Sequence, residues 1–351
     1  MTTLEVPDPR DTAKEAGLHY IHDDIPGIQR KKSGKHFAYF SLSGERIKDE
    51  KEISRINKLR IPPAWKGVWI SPDPKGHLQA TGYDDRKRKQ YRYHADWSMK
   101  RNENKFNRMI AFSKKLPHIR AQVDKDLSRP GLSKEKVLAT IIRLLEFSCI
   151  RIGNEEYAQS NASYGLTTMK NRHVDVEGST IVFHFKGKSN VKHNITIKDR
   201  KLARIIANCK DLPGQRLFEY EDESGGVHLV HSDDVNNYLK TITNDHFTAK
   251  DFRTWMGTAL AALELKKIVP FETEAQAHKN FLEAVKAVAS ILGNRPATCR
   301  KYYIHPAIEQ FYMEKTLSDL MNYEKKIEKK GLYAYEESVV KILKQYETSK
   351  K

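Results

Sequence analysis

The hydrophobic period of this chain changes once, near residue 97, and that change limits it to two kinds of folding unit in series. Before it, short runs such as "HFAYFSLSG" and "GVWISP" alternate apolar and polar residues between Gly, Pro and Asp. Period-two alternation bounded by turn formers gives a strand one buried and one wet face. After "YHADW" the spacing lengthens to that of a helix. In "SKEKVLATIIRLLEFSCIRIG", Val137, Leu138, Ile141, Ile142, Leu144 and Leu145 share one side, with Ser133 placed to cap the helix and Gly153 to stop it. Residues 172–198 interrupt the helical texture: Ile181, Phe183 and Phe185 alternate, and beyond "KGKSN" so do Val191, His193, Ile195 and Ile197. That pattern predicts two or three antiparallel strands with Lys188 at a hairpin tip. Helices are predicted over "FRTWMGTALAALELKK", "TEAQAHKNFLEAVKAVASIL" and "PAIEQFYMEKTLSDLMNYEKKIEKK". The expected fold class is α+β. A small antiparallel β-sheet domain occupies residues 1–97, with 1–18 as an extension, and a larger, mainly helical domain containing a β-hairpin occupies 98–351.

Composition bears on the partner. Lys and Arg number 62 against 45 Asp and Glu, a formal net charge of +17 that favours a polyanion. In "GYDDRKRKQYRYHADW" the basic residues Arg86, Lys87, Arg88 and Lys89 are interleaved with Tyr91 and Tyr93, which fall on one face of an extended segment. Cations can neutralise phosphates while the rings reach bases or sugars, so nucleic acid is the expected partner rather than a membrane. Binding should then weaken steeply as salt rises. No run approaches the ~18 apolar residues of a membrane span, and the opening stretch lacks a secretion signal, so a cytoplasmic protein is expected. Cys149, Cys209 and Cys299 are odd in number and far apart. They suit neither a disulfide framework nor a zinc site and are read as reduced structural thiols. There is no G-x-x-x-x-G-K-[ST], no G-x-G-x-x-G and no acidic cluster for paired metal ions, so no nucleotide, metal or other cofactor is expected.

A phosphodiester can also be broken covalently. A side-chain hydroxyl attacks phosphorus, fixed cations hold the non-bridging oxygens, and an acid protonates the departing sugar oxygen. Arginine suits the second role through its permanently charged planar fork; lysine suits the third because neighbouring cations lower its pKa. The stretch "ILGNRPATCRKYYIHPAI" offers two adjacent hydroxyls, Tyr302 and Tyr303. On a helix they point about 100° apart, so only one can address a given phosphate.

The segments "RIGNEEY", "FKGKSNVKH", "KDFRTWMGT" and "GNRPATCRKYYIHP", in that order, resemble the catalytic segments of type IB DNA topoisomerases of the compact bacterial and poxvirus-like branch. The resemblance extends to "RIPPAWKGVWISPDPKGHLQATGYDDRKRKQYRYH". It implies a catalytic domain of the tyrosine recombinase and topoisomerase IB type, which closes with the sheet domain around duplex DNA. It also implies relaxation of positive and negative supercoils through a transient 3′-phosphotyrosyl link, without ATP or metal. Carried over residue by residue, the family's arginines fall on Arg151 and Arg253 and its hairpin lysine on Lys188. The nucleophile, nine residues after the hydrogen-bonding position at Asn294, is Tyr303. Poxvirus and eukaryotic members place histidine where Asn294 stands; asparagine can donate a hydrogen bond there but cannot take up a proton. Alternation leaves Lys186 and Lys188 on one face, and only the family's Gly-Lys pattern, at Gly187-Lys188, selects Lys188 over Lys186 and Lys192. Gln90, Tyr91 and Tyr93 match the family's strand that faces the major groove. Tyrosine site-specific recombinases are the nearest alternative, but they carry histidine three residues before the second arginine, where this chain has Lys250. A non-catalytic architectural DNA-binding protein is the other, and a covalent complex on DNA would exclude it. A monomer associated with the bacterial nucleoid is expected.

Overall fold

The computed structural model describes residues 8–268, 270–321 and 331–349. It divides into two compact units, one ending at Asn107 and the other starting at Arg108.

In the first unit, helix α1 (Pro9–Glu15) precedes strands β1 (Ile28–Ser33) and β2 (His36–Phe40). Helix α2 (Glu50–Lys58), strands β3 (Lys66–Ile70), β4 (Leu78–Tyr83) and β5 (Lys89–Tyr93), and helix α3 (Ala95–Asn107) follow. The five strands form an antiparallel sheet of order β2-β1-β3-β4-β5. Its inner face meets Ile56 of α2, building a core from Ile28, Ile56, Val68, Ile70 and Ala80. The stretch expected as an extension contains α1, whose Ala13 packs with Leu18 and Trp97 of α3. Because α3 is tied to the sheet side through Trp97, this unit ends at Asn107, after the change of period at residue 97.

The second unit begins with α4 (Met109–Asp126), α5 (Lys134–Ser148) and α6 (Glu155–Asn161). A three-stranded antiparallel sheet follows, β6 (Val174–Glu177), β7 (Thr180–Lys186) and β8 (Lys192–Lys198), in that order. Then come α7 (Arg200–Asp211), a small hairpin of β9 (Glu219–Glu221) and β10 (Val227–Leu229), and α8 (Ser232–Thr243). The chain continues through α9 (Ala249–Lys266), α10 (Glu274–Leu292), α11 (Pro296–Tyr303), α12 (Pro306–Met313), α13 (Leu317–Leu320) and α14 (Ala334–Ser349). Helix α9 is the hub, burying Phe252, Trp255, Ala259 and Ala262 among its neighbours. Phe112 of α4 meets Phe247 and Phe252 edge-on at ring distances of 5.3 and 5.1 Å, arrangements worth about 0.5–1.5 kcal/mol beyond area burial. A charged knot fastens α14 to this hub. Arg120 of α4 pairs with Glu146 of α5 at 2.6 Å and with Glu336 of α14 at 2.8 Å, while the Trp255 indole N–H donates to Glu336 at 2.8 Å. No helix among the described residues is long and apolar enough to cross a membrane.

Two expectations are corrected here. Ser133 caps α5 as expected, accepting from the Lys136 amide, but the helix ends at Cys149, not at Gly153. Cys149 takes the left-handed conformation usually left to glycine, at φ 54°, and its carbonyl receives the Arg253 guanidinium. A hydrogen bond from a residue 104 positions away thus sets the boundary, which local turn chemistry cannot foretell. The helix predicted from Pro306 onward is broken: α12 ends at Met313 and Lys315 sits at φ 61° before α13. Its predicted continuation over 322–330 lies outside the described residues.

Candidate active site

Two helix C-termini hold the site's cations. Helix α10 ends at Gly293, left-handed at φ 59°, and leaves its last carbonyls without intrahelical partners. Arg253 of α9 donates to Leu292 O at 2.7 Å and, through its other terminal nitrogen, to Cys149 O at the end of α5. Arg151, in the loop after α5, donates to Gly293 O at 3.1 Å and to the side-chain oxygen of Asn294. That loop is pinned by Leu166 N donating to Arg151 O at 2.9 Å and Thr167 N to Ile152 O at 2.7 Å. The negative ends of both helix dipoles therefore stabilise guanidinium groups that would otherwise be costly to bury.

Arg253 is close enough to disfavour the charge of Arg151. Burial, and then the charge of Arg253, bring the Arg151 pKa down to about 10, with Tyr303 acting in the opposite direction. An anion bound between them would relieve that repulsion. Donors remain for it: Nε of Arg253, itself 4% exposed, and Nδ2 of Asn294 are buried and have no hydrogen-bond partner among the described residues. Buried polar atoms without partners are rare and call for a ligand or a chemical role.

Tyr303 is brought to the same place. The Arg253 guanidinium lies 5.4 Å from the centre of its ring. Gly257, one helical turn after Arg253 on α9, allows this approach: a Cβ there would stand 2.7 Å from Tyr303 O and 3.0 Å from Tyr303 Cβ. Thr258 then pins the end of α11, donating to Tyr303 O at 3.1 Å and accepting from His305 N at 3.0 Å. Tyr302, the other hydroxyl on α11, is 37% exposed, and Lys301 lies over its ring. Arg151, Arg253, Asn294 and Tyr303 thus share one location built from α5, α9, α10 and α11.

Lys188 stands exposed in the turn Lys188–Asn190 between β7 and β8. The expectation that Lys186 and Lys188 share a strand face does not apply, because β7 ends at Lys186. The turn is closed by Gly187 N donating to Val191 O at 2.8 Å, and Ser189 and Asn190 take positive φ, which turns Lys188 out of the alternating pattern.

In the first unit, Lys89, Tyr91 and Tyr93 fall on one face of β5. The two tyrosine rings are stacked 6.0 Å apart at 8° and are 46% and 42% exposed, an open aromatic surface. Lys89 pairs with Asp23 at 2.6 Å. Gln90 lies on the opposite strand face, since successive strand residues alternate, and its amide donates to Asp84 at 3.1 Å. Arg88 pairs with the same carboxylate at 2.6 Å, and that bond chiefly lowers the Asp84 pKa. Arg86 and Lys87 are exposed on the β4–β5 turn, with Lys87 at φ 58°.

Three residues of this neighbourhood escaped the sequence reading. Gly257 and Thr258 belong to "FRTWMGT", where spacing of four from Arg253 to Gly257 signals a shared helix face. His193 was visible only as an alternating strand residue. Its ring stacks on Phe185 at 4.8 Å and 14°, beside Gly293.

The family model for the catalytic core of eukaryotic DNA topoisomerase I matches residues 86–331, and that for the N-terminal domain of bacterial DNA topoisomerase IB matches residues 36–84. The chain is 35% identical over 288 residues to DNA topoisomerase 1B of Acanthamoeba polyphaga mimivirus, covering 80% of this chain and 85% of that protein. It is 22% identical over 247 residues to DNA topoisomerase 1B of Vaccinia virus (strain Copenhagen), covering 69% and 74%. It is 25% identical over 251 residues to DNA topoisomerase 1 of Schizosaccharomyces pombe, covering 66% and 29%.

Proposed function

The chain belongs to the type IB DNA topoisomerase family, and from that premise we propose that it relaxes positively and negatively supercoiled duplex DNA with Tyr303 as nucleophile. Tyr303 Oη attacks the scissile phosphorus; the P–Oη bond forms and the P–O5′ bond breaks, leaving a 3′-phosphotyrosyl link. The phenolic proton passes to water, and Lys188 Nζ gives a proton to the departing O5′. Arg151, Arg253 and Asn294 hold the non-bridging oxygens. After rotation of the free end, the 5′-hydroxyl attacks the phosphotyrosine: the P–O5′ bond forms and the P–Oη bond breaks, Lys188 takes its proton back from the 5′-hydroxyl, and Tyr303 Oη regains a proton from water. The bond energy stays in the phosphotyrosine, so the cycle needs neither ATP nor, with five polar side chains supplying the chemistry, a metal ion.

One observation carries this reading: two arginines fixed on helix ends, with Arg253 Nε and Asn294 Nδ2 still unpartnered among the described residues, beside a tyrosine ring. The Arg253 guanidinium beside the ring also favours the phenolate charge that develops on Tyr303 Oη. Preorganised cations of this kind act where charge develops and cost no reorganisation. In the first unit, Lys89, Tyr91 and Tyr93 would contact the duplex, with Arg86 and Lys87 reaching phosphates. Arg88 and Gln90 would first exchange their bonds to Asp84. The chain would act as a monomer and, in a bacterial host, on the nucleoid; sedimentation with and without a short duplex tests the first point.

The direct test is relaxation of supercoiled plasmid without ATP and with excess EDTA. Wild type and Tyr302→Phe should relax it and Tyr303→Phe should not. Relaxation by Tyr303→Phe, or loss of wild-type activity on adding EDTA, would contradict the reading.

A further inference from the structure

His193 is on β8, five residues beyond Lys188, and its imidazole edge fits between two glycines from different parts of the second unit. A Cβ on Gly187, the residue before Lys188, would stand 2.7 Å from His193 Nε2 and 2.8 Å from Cδ2. A Cβ on Gly293, the residue before Asn294, would stand 2.4 Å from His193 Cε1 and 2.9 Å from Nε2. Neither position has room for another side chain while the ring is there. The ring's flat face stacks on Phe185 of β7, itself buried, so it cannot retreat from the glycines without leaving that stack. The His193 imidazole has no hydrogen-bond partner among the described residues, while its backbone pairs with Phe185 in the β7–β8 ladder, so packing and not side-chain polar pairing places the ring.

The two glycines belong to the two halves of the reaction. Gly187 closes the turn that carries the exposed Lys188, through its amide's bond to Val191 O at 2.8 Å. Gly293 caps α10, accepts Arg151 and leads into Asn294. A turn with three exposed residues, Lys188 to Asn190, has little packing of its own to fix its height over the arginines. The imidazole edge supplies that spacing.

We propose that His193 is a positioning residue for strand transfer: wedged between Gly187 and Gly293 on the Phe185 ring, it sets where Lys188 stands relative to the phosphate held by Arg151, Arg253 and Asn294. The inference rests on Lys188 being the proton donor. A neutral ring suits a spacer beside two guanidiniums, and burial, followed by the charges of Arg151 and Arg253, holds the imidazole below its ordinary pKa.

The test compares single-turnover cleavage of two duplexes of one sequence, one with the natural 5′-oxygen at the scissile bond and one with a 5′-bridging sulfur. A thiolate leaves without protonation, so the sulfur duplex removes the need for the acid. His193→Ala should slow cleavage of the oxygen duplex by about 100-fold, the cost of a misplacement near 1 Å, and cleave the sulfur duplex within about threefold of wild type. His193→Phe, which keeps a flat ring on Phe185, should stay near wild type on both. Gly187→Ala, which pushes on the same ring from the other side, should repeat the His193→Ala pattern and supplies the answer should His193→Ala not fold. The inference is overturned by wild-type cleavage of the oxygen duplex in His193→Ala, by equal losses on both duplexes, or by His193→Phe behaving as His193→Ala. Lys188→Ala on the same pair of duplexes separates the two claims: if sulfur fails to rescue it, the assignment of Lys188 as acid falls, whatever His193 does.

Discussion

Asparagine at position 294 has a cost that can be worked from its surroundings. Its side-chain oxygen accepts from Arg151, and its Nδ2 is buried without a partner among the described residues. Asn294→Ala removes that one neutral donor and one of Arg151's two anchors, leaving Arg151 on Gly293 O at 3.1 Å. Losing one preorganised donor to a developing oxyanion costs about 2.7–4 kcal/mol. A phosphate oxygen is already charged in the ground state, so the lower end applies, about 100-fold in rate. Arg253→Ala removes charged donors, whose hydrogen bonds are about twice as strong, and should cost about 10⁴-fold. It also strips the Cys149 and Leu292 carbonyls of their partner. Asn294→Asp keeps the acceptor for Arg151 but turns a charged oxygen toward the phosphate, so it should be slower than Asn294→Ala. The assay is single-turnover cleavage of a short suicide duplex under enzyme excess. Rates for Asn294→Ala and Arg253→Ala that coincide, or an Asn294→Asp no slower than Asn294→Ala, would refute this assignment.

Three other consequences are measurable. Gly257→Ala places a Cβ 2.7 Å from Tyr303 O and should lower the cleavage rate by about 100-fold while leaving non-covalent DNA affinity unchanged; a matching fall in affinity would contradict it. Glu336→Ala leaves the buried Trp255 indole N–H without its acceptor and leaves Arg120 with Glu146 as its remaining carboxylate among the described residues, and urea unfolding should show a loss of about 3 kcal/mol; a change under 1 kcal/mol, on the order of a surface pair, would show that the knot is not needed. Burial brings His77 down to a pKa of about 4, and its Nδ1 accepts from Ile21 N at 3.1 Å. Its unfolded form binds a proton below about pH 6.5 while the folded form does not, so its contribution is present above that pH and is lost as the pH falls toward 4. Urea midpoints at pH 7 and pH 4.5 should differ less in His77→Asn than in wild type; equal differences would contradict this.

Local rules carried the sequence reading a long way where the structure is local. Ser133 caps α5, the alternation of Ile181, Phe183 and Phe185 corresponds to the inward face of β7, and "KGKSN" is the turn carrying Lys188. The segments holding Arg151, Arg253, Asn294 and Tyr303 could be picked out only through the family resemblance, since nothing in their spacing says that 142 residues separate two groups in contact. What escaped was fixed by such distant contacts. Cys149 stops a helix because Arg253 binds its carbonyl, Lys188 leaves the strand pattern because the turn begins at Gly187, and His193 meets Gly293 across 100 residues of chain. The opposite facings of Gln90 and Tyr91 were legible from strand period alone, but matching the motif as a block hid them.

The central claim is that Tyr303 takes the phosphate. Incubating the wild-type protein with a suicide duplex, isolating the covalent adduct and sequencing the modified peptide by fragmentation tests it most directly, because Tyr302 and Tyr303 are resolved residue by residue. A 3′-phosphoryl group on Tyr303 is the predicted result. Modification of Tyr302 or of any other side chain, or DNA binding with no adduct, would contradict the account.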